Sequence, residues 1–162
     1  MKIITWYCRG LGNGPAVRGL LSMQKEEDPN ILFLSETKMD KRRIEGLRWH
    51  LGLTNVVVKD CEGKSGGLAI FWRTGVNFHL RIASRLYIDG DVVEKDGSVW
   101  GLTGFYGEPR SDKKELSWKA LRALNAGRRH PWLCWVISMK FYGVMKKRVG
   151  SPGRRFVWTD FG

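Results

Sequence analysis

Glu36 stands just beyond an uninterrupted apolar run, Ile31-Leu-Phe-Leu34, with Ser35 between them. A buried backbone of that kind can aim a carboxylate outward, where it offers hard oxygen donors; the plainer reading is a solvated acid beside Lys38. Tyr106 lies in Gly104-Phe-Tyr-Gly107, and a glycine on each side of the Phe-Tyr pair lets another backbone approach closely. Its plainer reading is a half-buried strand tyrosine. Few other residues are spaced for chemistry. His50 falls in a helical stretch, His79 in a strand and His130 beside Pro131, and each reads as structural or solvent-facing. Cys8, Cys61 and Cys134 are odd in number, far apart and without a CxxC pair. That pattern fits neither a disulfide framework nor a zinc site, and a reducing compartment suits it best.

The elements that must position these residues follow from periodicity. Lys2 to Trp6 reads as a strand, Arg9 to Pro15 as a glycine-rich loop, and 16–24 as a helix with Val17, Leu20, Leu21 and Met23 in helical period. The run at 31–34 is a strand buried on both faces. Met39 to Leu51 is a basic amphipathic helix with Ile44, Leu47 and Leu51 on one side, and 55–59 is a strand. Four strand-like segments, 68–72, 78–82, 86–93 and 99–105, then read as a β-meander; 113–124 is helical, and Trp132 to Cys134 begins a further strand. Strand–helix–strand followed by a meander argues for a layered α/β fold rather than a bundle.

The length of 162 residues allows one domain with a real core, and 43% hydrophobic residues place the chain among globular proteins. The net charge is +12. An excess of that size favours polyanionic partners such as nucleic acid or an acidic membrane surface, the plainer reading being a merely basic protein. Residues 1–134 carry 22 basic and 15 acidic side chains; residues 135–162 carry 6 and 1, so the last stretch differs in composition. The N-terminus has no long apolar segment and no later stretch approaches a membrane span. An intracellular protein of nucleus or cytoplasm, not secreted, is expected, with no membrane and no obligate protein partner implied.

Five blocks, in order, resemble the endonuclease domain of plant LINE-type (non-LTR) retrotransposons, of the endonuclease/exonuclease/phosphatase superfamily. They are Ile3-Ile-Thr-Trp-Tyr-Cys-Arg-Gly-Leu-Gly12, Asp28-Pro-Asn-Ile-Leu-Phe-Leu-Ser-Glu-Thr-Lys38, Gly63-Lys-Ser-Gly-Gly-Leu-Ala69, Leu102-Thr-Gly-Phe-Tyr-Gly-Glu-Pro109 and Pro131-Trp-Leu-Cys134. The resemblance implies a two-sheet β-sandwich flanked by helices, incomplete at its C-terminus, with a site at the open end. It also implies cleavage of DNA assisted by Mg²⁺, which takes hard oxygen ligands and polarises the scissile phosphate. Glu36 matches the metal-binding glutamate of the family, and Tyr106 matches a tyrosine that helps to hold the phosphate. Arg9, Arg42, Arg43 and Lys64 would lie near the site loops, on DNA.

Three departures weaken that implication. Tyr7 stands where the family has a metal-binding Asn, and a neutral phenol is a poor magnesium ligand. After Trp132-Leu-Cys134 the family has Gly-Asp-Phe-Asn, whereas this chain reads Trp135-Val-Ile-Ser-Met-Lys-Phe-Tyr-Gly143. Read from the third base of the Trp135 codon, the genetic code forces Gly, Glu and Leu at their places and permits Asp, Phe, Asn and Ile between them. The missing motif is thus encoded one frame away. The expectation is a partial domain over 1–134 and a divergent basic tail over 135–162, out of frame, in a copy that no longer cuts. The family's late histidine block, which assists water attack, is also missing. The alternatives are a non-catalytic nucleic-acid-binding remnant and a pseudogene product without stable structure.

Overall fold

The computed structural model describes residues 1–63, 66–108, 110–138 and 141–147, with 111, 136–138 and 141–147 as backbone. Strand β1 (Ile3–Tyr7) is followed by helix α1 (Gly14–Glu27), β2 (Ile31–Ser35), α2 (Lys41–Leu51), β3 (Asn55–Lys59) and β4 (Leu68–Trp72). Strands β5 (Phe78–Ala83), β6 (Tyr87–Val93) and β7 (Val99–Phe105) come next, and α3 (Lys114–Ala126) leads to β8 (Trp132–Ser138) and β9 (Phe141–Lys147). They form two sheets, of order β1-β2-β4-β3 and β5-β6-β7-β8-β9. Both contain one parallel pair, β1 with β2 and β7 with β8, and each such pair is joined through a helix.

One sequence expectation changes here. The meander has three strands, β5 to β7, because β4 turns away and pairs antiparallel with β2 and β3 in the first sheet. The strand that begins at Trp132 runs to Ser138 and returns as β9, Trp132 pairing with Lys147. The rest of the 135–162 stretch, residues 148–162, lies outside the described residues.

Period-two alternation sorts the side chains into layers. On β2, Leu32 and Leu34 face α1 and α2, where they meet Leu20, Ile44, Leu47 and Leu51. Ile31 and Phe33 face the second sheet and meet Phe78, Ile88 and Leu102. Phe105, Trp132 and Cys134 face the other way, onto Leu121 of α3. The run at 31–34 is therefore buried on both faces, between a helix layer and a second sheet. Gly104 permits the sheets to approach: a Cβ there would lie 2.5 Å from the Phe33 ring.

The helix ends are set by local chemistry. The Asn13 side chain accepts from the Ala16 N–H at 2.8 Å, with Pro15 in the first turn, and the Asp40 side chain accepts from the Arg43 N–H at 2.9 Å. Gly52, at φ 67°, ends α2. Among the described residues, no helix is long and apolar enough to cross a membrane.

Candidate functional site

The C-terminal ends of β1, β2 and β7 and the segment entering β4 lie at one end of the sandwich. There the chain leaves regular geometry. Arg9, Glu36 and Lys38 have φ of 50°, 53° and 50°, and Gly10, Gly66, Gly67 and Gly107 are also left-handed. For a residue with a side chain this costs about 1 kcal/mol or more, so surrounding contacts must hold it. They do so from both sides. The N–H groups of Cys8, Gly10 and Leu11 donate to the carbonyls of Ser35, Glu36 and Thr37, while those of Thr37 and Lys38 donate to Gly67 and Gly66. Gly67 is needed as such, since a Cβ would come within 2.2 Å of Thr37 Oγ1 and its φ is 94°.

The left-handed turn redirects Glu36. Continued alternation along β2 would send it to the helix side with Leu32 and Leu34, yet its Oε1 accepts the hydroxyl of Tyr106, a member of the inter-sheet cluster. Oε2 lies 3.8 Å from Lys38 Nζ. Glu36 is 7% exposed and Tyr106 6%. Burial, then the hydrogen bond to Glu36 and its charge, push the Tyr106 phenol far above its ordinary value, so it stays protonated and donates. Burial and Glu36 also raise the Cys8 thiol to about 12, although the Ser35 backbone opposes them.

Tyr7 ends β1 opposite Ser35, adjacent to Glu36, and the charge on its phenolate would be felt at Tyr106. The Arg9 guanidinium sits 5.7 Å over its ring. Arg42 and Arg43 are exposed in the first turn of α2, whereas Lys64 lies outside the described residues. The structure thus brings Glu36, Tyr106 and Tyr7 together at one end. His50, His79 and His130 are all exposed.

Two buried ionic groups were not apparent in the sequence. Glu108, next but one to Tyr106, takes a hydrogen bond of 2.7 Å from Arg85 Nη1, and its N–H donates to Ser117 Oγ at 2.7 Å. Burial works to raise this carboxyl, but Arg85, the Arg110 N–H and Lys113 outweigh it and lower its pKa. Together with the N–H groups of Tyr106 and Gly107, which donate to Leu86 O, these contacts fix the backbone that carries Tyr106. The second group lies under α3. Arg128 pairs with Asp89, Thr103 Oγ1 donates to Asp89 at 2.5 Å, and Trp132 Nε1 donates to Thr103 at 2.8 Å. Only Glu108, inside the Leu102–Pro109 segment, carried any signal; Asp89 in a strand and Arg128 in a loop carried none.

A divalent ion needs several oxygen donors, one or two of them carboxylates in the case of magnesium. Among the described residues, no three of His, Cys, Asp or Glu cluster to hold one. Glu36 meets Tyr106 and Lys38, and Glu108 is tied to Arg85. These side chains do not by themselves fit a magnesium ion. What the arrangement does offer is a buried Glu36–Tyr106 pair with the cations Arg9 and Lys38 beside it at one sandwich end, and it is these cations that suit a phosphate.

No protein-family model and no curated protein matches the chain. Among solved structures it is similar to the 3' phosphatase NExo from Neisseria bound to product DNA hairpin, at 21% identity and a TM-score of 0.61 over 84% of this chain and 56% of that one. An AP endonuclease from Archaeoglobus fulgidus matches at 19% identity, TM-score 0.60, over 84% and 56%. The endonuclease domain of TRAS1, a telomere-specific non-LTR retrotransposon, matches at 12% identity, TM-score 0.61, over 83% and 58%. These neighbours belong to the endonuclease/exonuclease/phosphatase superfamily, and the two sheets flanked by helices in this chain have their fold. The chain spans a little over half the length of each of these three.

Proposed function

We propose that this chain is a DNA-binding domain of the retrotransposon endonuclease type, of plant LINE character, that engages the DNA backbone at the Glu36–Tyr106 end without cutting it. The observation that carries this reading is the convergence of Glu36, Tyr106 and Tyr7 at one end of the sandwich. The sequence blocks that contribute these residues resemble such a domain. The fold is shared with nucleases and phosphatases that act on DNA, among them a retrotransposon endonuclease domain. The excess of basic residues over 1–134 supplies the charge for a polyanion.

Inactivity follows from the donor set. Mg²⁺ would find one carboxylate, Glu36, with a phenol in place of the carboxamide that would complete its site. The Asp and Asn that would align water and phosphate are absent from 135–143. Loss of one transition-state-stabilising group costs on the order of a hundred- to a thousand-fold in rate, and several are missing together. We extend the reading to 135–162 as a stretch translated out of frame. Genomic DNA carrying the intact Gly-Asp-Phe-Asn frame ahead of a reverse-transcriptase frame would support that origin, and DNA without them would remove it.

The test is nicking of supercoiled DNA with magnesium, alongside salt-dependent DNA binding. The chain should bind, and should not nick above a Glu36→Ala control. Tyr7→Asn alone should not restore nicking, whereas Tyr7→Asn combined with the restored frame and the family's C-terminal section should. Glu36-dependent nicking by the chain as it stands would refute the proposal.

A further inference from the structure

The solvent face of α2 carries an arrangement that the fold does not need. Its core face, Ile44, Leu47 and Leu51, is buried. At 100° per residue, Arg42 and Trp49 lie in line on the opposite side, Arg43 and His50 lie in line beside them, and Gly46 falls between the two rows. All five are exposed, and Trp49 is 72% accessible, so its ring contributes little to any core. Arg48 packs its guanidinium 5.5 Å from the Trp49 ring centre, which leaves that ring flanked by positive charge. The one acid of the helix, Glu45, is taken up by Lys41 at 3.8 Å, and neither Arg42 nor Arg43 has a carboxylate partner among the described residues. No atom lies within 4 Å of where a Gly46 Cβ would be, so the stripe has an open notch at its centre.

The stripe is also placed to matter. α2 starts three residues beyond Lys38, whose ammonium faces the Glu36 carboxylate. From Arg42 to Trp49 the helix rises about 10 Å, enough to lie along several nucleotides of a strand. A cationic row ending in an open aromatic ring matches a backbone whose bases are free to stack, because a duplex hides the base faces that an indole would need. Positive charge selects a polyanion over an apolar protein surface, and Arg42 and Arg43 on this face have no acid to neutralise them among the described residues.

Resting on the reading of this chain as a DNA-binding domain, we propose that the outer face of α2 is a track for an unpaired DNA strand running from the Glu36 end. Arg42 and Arg43 contact phosphates, Trp49 stacks on a base, and Gly46 lets the strand lie close. The experiment is fluorescence anisotropy of a labelled oligothymidylate and of a duplex of equal length, over a salt series, with the full chain. Trp49→Ala should weaken single-strand binding on the order of tenfold and leave the duplex unchanged, with Trp49→Phe retaining most of the affinity. The double variant Arg42→Ala/Arg43→Ala should reduce the slope of log affinity against log salt by about 1.4. Gly46→Glu, which touches no core residue, should abolish single-strand binding, and Arg122→Ala on α3 should change nothing. Single-strand binding unaltered by the α2 variants overturns the track while leaving a DNA-binding domain; a slope change without any Trp49 effect overturns the unpaired strand. If the chain melts cooperatively but binds no DNA at all, the underlying reading fails as well.

Discussion

The hydroxyl of Tyr106 donates to Oε1 of Glu36, closing a contact between residues 70 positions apart and between the two sheets. It fastens the open end of the sandwich and holds the phenol in its protonated form.

That bond makes stability depend on alkaline pH. The Tyr106 pKa is raised in the fold from its ordinary 10.0, chiefly by burial and then by Glu36. An unfolded chain therefore loses this proton first. The stabilisation is complete below about pH 10 and declines above it as pH rises towards the folded pKa. Urea unfolding should show this loss in the parent and less of it in Tyr106→Phe. Tyr87, also raised by burial and by Asp89, remains to contribute in both. At neutral pH, Tyr106→Phe should cost about 1–3 kcal/mol by leaving a buried carboxylate short of a donor.

Thiol reactivity should divide the cysteines. Burial pushes Cys8 up to about 12 and Cys134 higher still, and both side chains are buried, whereas Cys61 is partly exposed. A thiol reagent at neutral pH should label Cys61 alone in the folded chain and all three in denaturant. Rapid labelling of Cys8 without denaturant would contradict the packing at the end of β1.

Gly67→Ala should destabilise the chain by about 1–3 kcal/mol. It forces a side chain onto a left-handed residue and into Thr37 Oγ1. The strain falls beside Glu36, so the variant should also weaken DNA binding, whereas Gly46→Ala on open α2 surface should raise the melting temperature.

Arg128→Ala should cost about 3–5 kcal/mol in denaturant unfolding, because Asp89 would be left buried without its cation. The pair lies under α3, away from Glu36, and the variant should retain DNA binding under conditions where it remains folded.

The layers were legible because their signals are local. Ile31 to Leu34 reads as a doubly buried strand, and Ile44, Leu47 and Leu51 read as one helical face, without knowledge of what covers them. Which sheet a strand joins is not local. Leu68 to Trp72 resembles the three strands after it, and only its pairing with Ile31 to Ser35 separates it from them. Glu36 and Tyr106 were visible as residues in motifs, but the left-handed turn that carries one to the other was not, since nothing in Ser-Glu-Thr-Lys demands positive φ. Asp89 and Arg128 were hidden because an acid in a strand and an arginine in a loop ordinarily face water.

Loops at the end of a domain usually tolerate insertions, since each runs over the surface on its own. Here the loop after β1, the segment at 36–38 and the approach to β4 share one ladder of amide bonds, with the Glu36 segment as its middle rung. A residue added to any of the three would put its neighbours out of step. This end of the molecule should therefore accept substitutions far more readily than changes of length.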